Sequence, residues 1–396
     1  MLCSGHRPSA QTIQFASIWD SRLVATYPML TMPRATRQSS PPRPVSGRAG
    51  PTRLAELALL ETIRLRAAQA PTSELRLGIG DDCALLRPAP NEEFAVTTDL
   101  SIAGRHFRLD WHPAESVGHR ALARGLSDLA AMGARPVAAF LSLALPKDLV
   151  QISKARSARE PWIDRFLDGF LSLAQAYSVP LAGGDLAEST LAVADVVLTG
   201  AVTQGAALLR SGARPGDLIY VTGSLGGAAV GYATLAQLAA ALKRDRSRPR
   251  LKKLPHIPPQ SMAVLSPHLY PRPRVAQGLW LARNAVATAA IDLSDGLSTD
   301  LAHLCAESGV AAELVAAALP VAAGANAAQV LHGGEDYELL FTAPPAARVP
   351  GSIEGVRVTH IGRILGATKK RTASPVTLMT QSGPVPLAPQ GWQHFS

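Results

Sequence analysis

From Ala95 onward, short apolar runs that each close on an acid or a glycine alternate with alanine-rich stretches of helical period, and few architectures accept that alternation. AVTTDL (95–100), PVAAFLSLALP (136–146), LAVADVVLTGAV (191–202) and LIYVTG (218–223) read as strands. SVGHRALARGLSDLAAMGA (116–134) and the stretches 162–177 and 298–308 read as helices, and an earlier one runs from about Arg53 to Ala70. Strands punctuated by helices predict an α/β or α+β protein of two domains. The turn-rich RSGARPGD (210–217) supplies the joint, giving an N-terminal domain over 51–205 and a C-terminal domain over 206–396. A basic insertion interrupts the second at about 243–262. Residues 1–50, rich in Arg, Ser and Pro and without a sustained period, read as an extension that does not fold.

Charge narrows the partners. The chain of 396 residues carries a net +9, but residues 1–50 hold six Arg against one Asp, and KRDRSRPRLKK (243–253) holds seven bases against Asp245. These tracts contribute +5 and +6, so the remainder is slightly acidic and offers no nucleic-acid groove. The one long uncharged stretch, 218–242, is broken by four glycines and reads as strand, turn and helix, not as a membrane span. Three scattered cysteines, Cys3, Cys83 and Cys305, form no ligand pair, which suits a reducing, cytoplasmic compartment.

The chemistry lies in the acids. Asp81 and Asp82 follow a Gly-x-Gly turn in GIGDD, and further acids close apolar runs at Asp99, Asp128, Asp185, Asp292, Asp295, Glu335 and Asp336. Any one of these is an ordinary cap or turn acid, but their recurrence beside glycines points to a shared site. No His or Cys accompanies them at ligand spacing, so the set suits magnesium, which bridges carboxylates to substrate phosphates. VTGSLGGAAVGY (221–232) has the shape of a strand, glycine turn and helix that can offer N–H groups to an anion. It lacks the Walker lysine, and its nearest base is Arg210.

GIGDDCALL, TTDLSIAGRHF, ALARGLSDLAAMGARP, AGGD, RSGARPGDLIYVTGSLGG, AAIDLSDGL, GGEDYELLF and the terminal GWQHF, in this order, resemble the thiamine-monophosphate kinases. The resemblance implies a two-domain aminoimidazole ribonucleotide synthetase-like fold whose N-terminal sheet pairs across a homodimer. It implies ATP-dependent conversion of thiamine monophosphate to the diphosphate by direct in-line transfer, with several magnesium ions. Carried over residue by residue, it makes Asp82, Thr97, Thr98, Asp99, Asp128, Asp185, Asp292 and Asp295 magnesium ligands. Gly184, Asp185, Arg210 and Ser294 would contact ATP, and His106, Glu335 and Trp392 the thiamine phosphate. Turnover would depend on Asp82, Asp128, Asp292 and Arg210. Gly125, Leu186 and Gly227 depart from the pattern, where Asn, Thr and Asp are frequent. Another ATP-using member of the group, such as aminoimidazole ribonucleotide synthetase, is the alternative, and a polyanion binder acting through 243–253 is the reading from a different class.

Overall fold

The computed structural model describes residues 51–67, 73–79, 82–150, 161–244, 257, 259–366 and 374–392. The extension 1–50 and most of the basic tract therefore lie outside the described residues. The N-terminal half runs α1 (Pro51–Ala67), β1 (Leu75–Leu77), β2 (Leu85–Leu86), β3 (Glu92–Ile102), α2 (Ala114–Ala131), β4 (Arg135–Leu145), α3 (Lys147–Val150), α4 (Trp162–Ala176), β5 (Leu181–Glu188) and β6 (Val193–Thr203). Four strands make a sheet in the order β3-β6-β4-β5, antiparallel except between β4 and β5.

Because side chains alternate along a strand, β3 has two characters. Ala95, Thr97 and Asp99 face α2, where Leu122, Leu126, Leu129, Val196 and Leu198 are almost fully buried. Phe94, Val96 and Leu100 point the other way and stay 41%, 62% and 46% exposed. The β1–β2 hairpin covers only part of that second face, where Leu75 and Leu86 pack against Val137, Ala138, Ala182 and Ala201. Gly184, with φ +152°, lets β5 approach β4 so closely that a Cβ there would sit 1.9 Å from the Leu141 carbonyl oxygen.

The second half runs β7 (Leu218–Thr222), α5 (Gly227–Arg244), α6 (Met262–Leu269), α7 (Val275–Arg283), β8 (Ala289–Asp292), α8 (Leu297–Ser308), β9 (Ala311–Val315), α9 (Ala327–His332), β10 (Leu339–Ala343), β11 (Ser352–Ile353), β12 (Val356–Leu365), β13 (Val376–Thr380) and β14 (Gly383–Pro386). Its sheet has the order β14-β13-β9-β12-β7-β10-β8, with β11 added to β12. All its pairs are antiparallel except β13 with β9, so between the two predicted classes the fold is α+β.

Helix α2 joins the halves. It lies on the N-terminal sheet, yet a Cβ at Gly278 of α7 would meet the Ala130 carbonyl oxygen at 2.0 Å, so the two helices touch backbone to backbone. That contact sets Ser127 against the end of β8, where its hydroxyl donates to Asp292 Oδ2 at 2.7 Å. Among the described residues no helix is long and apolar enough to cross a membrane.

Candidate active site

Where α2 meets β8, a cavity of about 320 Å³ opens between the halves. At one end β3 delivers Asp99, α2 delivers Asp128 and β8 delivers Asp292. Thr97 Oγ1 donates to Asp128 Oδ2 at 2.5 Å, and Arg124 Nη2 lies 3.3 Å from Asp99 Oδ1. Asp99 Oδ2 is buried and has no hydrogen-bond partner. Burial, opposed by Arg124 and reinforced by Asp128, raises the Asp99 pKa to about 6. Burial and the charge of Asp128 raise Asp292 to about 7, against the Ser127 hydrogen bond and Arg210, and burial raises Asp128 as well. Three acids thus press together without enough positive charge to keep them all ionised.

Ser294 and Asp295 follow Asp292 on a loop tied to α8, where the Asp295 and Gly296 N–H groups donate to Asp300 Oδ2 at 3.1 and 2.9 Å. The same loop holds the C-terminal segment. Trp392 N–H donates to the Asp295 carbonyl at 3.1 Å and Gly391 N–H to Thr299 Oγ1 at 3.0 Å. Trp392 and Tyr232, both half exposed, line the far end of the cavity with His106, His268 and Glu335.

Glu335 has φ +66°, a conformation that a residue with a side chain rarely adopts, and its carboxylate is gripped by Arg120. His268 Nδ1 lies 3.2 Å from Glu335 Oε2. Against the cost of burial, the Arg120 charge and His268 hold Glu335 well below the usual carboxylate range. Its environment is the opposite of that of Asp292.

Nine expected residues therefore line or adjoin one cavity by position: Asp99, Asp128, Asp292, Ser294, Asp295, His106, Glu335 and Trp392 line it, and Thr97 is bonded to Asp128 from beside it. Arg210, exposed, acts on Asp128 and Asp292 through its charge. Asp82 is exposed on the turn between β1 and β2, and its neighbours Gly80 and Asp81 lie outside the described residues. Thr98 and Asp185 point to the open face of the N-terminal sheet, because register sets Leu100, Asp195, Ser142 and Asp185 in one row and Thr98 in the next. Gly184, beside Asp185, faces the helices.

The glycine turn before α5 has a use that the sequence did not reveal. Gly226 and Ala228 N–H groups donate to Asp336 at 2.6 and 3.1 Å, so the chain's own carboxylate takes the anion position at that helix start. Sequence reasoning also gave no role to Arg120, Arg124, His112, Tyr232 and His268; Arg124 and Tyr232 lie within quoted motifs, but the five meet only in three dimensions.

The residues present fit magnesium. Among the described residues no three His, Cys, Asp or Glu groups close a ready-made cage. A cation that keeps its waters and shares carboxylates with phosphates needs none, and the unpartnered Asp99 Oδ2 beside acids of raised pKa invites one.

Two family models match this architecture: the AIR synthase related protein N-terminal domain over residues 80–203 and the corresponding C-terminal domain over residues 214–373. Fold and cavity thus place the chain in the AIR synthase related class. Within that class, the thiamine-monophosphate kinase of Salmonella typhimurium is 38% identical over 323 residues, spanning 77% of this chain and 90% of that protein. The thiamine-monophosphate kinase structure from Stenotrophomonas maltophilia K279a superposes with a TM-score of 0.66 at 36% identity, covering 82% of this chain and 96% of that one. A structure described as "AaThiL complexed with AMPPCP and TMP" has a TM-score of 0.63 at 28% identity, covering 86% and 97%. The chain belongs to the thiamine-monophosphate kinase family.

Proposed function

We propose that this protein transfers the γ-phosphoryl group of ATP to thiamine monophosphate, giving thiamine diphosphate and ADP. The observation that carries the reading is the single cavity with a charge-starved acid end and an aromatic end, built on a family fold. The acceptor's attacking atom is a phosphate oxygen that is already anionic, so no general base is required, and what the protein must do is place two anions in line. Magnesium ions held by Asp99, Asp128, Asp292 and Asp295, with Thr97 beside them, would supply the neutralising charge at the cavity, and the other expected ligands, Asp82, Thr98 and Asp185, stand on the exposed β1–β2 turn and the open sheet face. Arg210 adds a fixed positive charge, and with Gly184, Asp185 and Ser294 it holds the nucleotide. His106, Glu335 and Trp392 hold the acceptor, the indole offering a flat face to a ring.

A homodimer completes this reading. The edge strand β3 leaves Phe94, Val96 and Leu100 exposed on the sheet face that carries Thr98 and Asp185, a surface suited to a second copy. Val96→Glu should yield a monomer by light scattering; an unchanged dimer would move the interface elsewhere. We place the domain boundary at 205/206 and the reaction in the cytoplasm, the latter because the scattered cysteines need no oxidising compartment.

The direct test is ATP-dependent formation of thiamine diphosphate by the purified protein, with and without magnesium and with free thiamine as a control acceptor. Magnesium-dependent product from the monophosphate is expected. No product from a folded protein that binds ATP would assign the acceptor to another member of the class.

A further inference from the structure

Behind Glu335 stand two buried imidazoles that face one another. His112, from the turn before α2, and His268, from α6, are 5% and 2% exposed, and their Nε2 atoms lie 3.0 Å apart. His268 Nδ1 faces Glu335 Oε2 at 3.2 Å, and His112 Nδ1 faces the Arg108 N–H at 3.0 Å. Glu335, held ionised by Arg120, only accepts, so the proton of a neutral His268 sits on Nδ1. Its bare Nε2 then requires the proton between the rings to belong to His112. His112 Nδ1 is bare in turn and accepts the Arg108 N–H. Two neutral rings suit these contacts: His268 Nδ1 meets the Glu335 carboxylate electrostatically at 3.2 Å, without an aligned hydrogen bond, His112 Nδ1 lies between the Arg108 N–H at 3.0 Å and the Arg108 carbonyl at 3.3 Å, and a charged ring would be buried beside Arg120.

A carboxylate has about four acceptor positions. Arg120 takes one on Oε1, His268 stands 3.2 Å from Oε2, and Glu335 lines the cavity, so acceptor positions remain for a ligand. We propose that His112 and His268 form a neutral relay that positions Glu335 as a pure acceptor, and that Glu335 so held selects acceptors presenting an N–H donor. In thiamine monophosphate that donor is the exocyclic amine of the pyrimidine, so the inference rests on the function proposed above. His268 and His112 are positioning residues that act through Glu335.

The test compares thiamine monophosphate with its analogue carrying hydrogen in place of the pyrimidine amine. The wild type should prefer the natural acceptor by about tenfold or more in kcat/KM, the worth of one hydrogen bond to a charged group. His268→Leu should raise the KM for thiamine monophosphate about tenfold, leave the KM for ATP unchanged and erase most of the preference, while His268→Asn, which keeps an N–H near the Nδ1 position, restores it. An equal loss on both acceptors, or a preference intact in His268→Leu, overturns the proposal. If His268→Leu does not fold, nitrogen-15 NMR of histidine-labelled wild type decides: Nδ1–H on His268 and Nε2–H on His112 between pH 6 and 8 are expected, and reversed tautomers or an imidazolium overturn the relay. Absence of any turnover of thiamine monophosphate by a folded wild type would refute the function reading, and the relay would then stand or fall on that spectrum.

Discussion

Asp292 and Glu335 line the same cavity and are treated in opposite ways by the fold. Glu335 has its cation built in, Arg120, and a histidine beside it, and its pKa is lowered. Asp292, 2% exposed, has a serine hydroxyl and a distant arginine set against two other acids, and its pKa is raised to about 7. A carboxylate that the protein neutralises itself is suited to holding one substrate in a fixed pose. One left short of positive charge is suited to a cation that arrives with the other substrate.

The sharpest way to break this contrast is Asp292→Asn. Turnover should fall at least a hundredfold at saturating magnesium, because the transition state loses charge compensation. The melting temperature should hold or rise, since the amide oxygen still accepts from Ser127 and the repulsion with Asp128 is relieved. Near-normal turnover would remove Asp292 from the metal set. Glu335→Gln should do the reverse. Arg120, with its side chain 6% exposed, loses its counter-charge, and stability should drop by about 2 kcal/mol while turnover at saturating acceptor falls far less than in Asp292→Asn. Chemical denaturation beside steady-state kinetics checks both halves of the pair.

The next effect concerns pH. Asp99 and Asp292 keep their protons in the folded protein up to about pH 6 and 7, whereas in the unfolded chain they release them near ~3.9. Between those values the folded state holds more protons, so their contribution to stability falls as pH rises. Glu335, lowered, contributes in the opposite sense: its stabilisation is present above the unfolded carboxylate pKa and is lost on acidification. Without metal, the wild type should therefore lose more stability than Asp292→Asn between pH 5.5 and 8. Magnesium should stabilise the wild type more at pH 8 than at pH 5.5. Parallel pH profiles for the two proteins would show that Asp292 is ionised and satisfied without a cation.

The acid end was legible in the sequence for a physical reason. Asp99, Asp128 and Asp292 each sit beside an apolar run, and apolar periodicity marks the strands and helix that carry them to one place. The expected helix at 116–134 forms over Ala114–Ala131 and the strand at 95–100 extends to Glu92–Ile102. The counter-charges were not legible. Arg120 and Arg124 occupy one turn of a helix whose spacing looks like an ordinary amphipathic pattern, and His112 and His268 are 156 residues apart. Asp185 belonged to the expected metal set, yet strand pairing, not local sequence, decides which sheet face it meets. Asp336 looked like a site acid beside Glu335, and its N-capping of α5 depends on a contact 110 residues away.

The smallest effect asks whether the two ends of the cavity are joined. Trp392 belongs to the acceptor end, yet its N–H is bound to the carbonyl of Asp295, and Gly391 is bound to Thr299 one turn into the helix that follows the acid loop. A side chain at Gly391 has no room, since its Cβ would lie 2.0 Å from that same carbonyl oxygen, so the segment can seat in only one way. Thr299→Val keeps the shape and removes the hydroxyl that receives the Gly391 N–H, at a cost of about 1 kcal/mol, or roughly fivefold in equilibrium. If Trp392 reaches the acceptor only when this strap is seated, that fivefold should appear as a raised KM for thiamine monophosphate with the KM for ATP unchanged, and Thr299→Ser should restore it. A loss shared by both substrates would mean instead that Thr299 supports the acid loop, and that Asp295 and Trp392 answer to one structural element and not to two ends of a cavity.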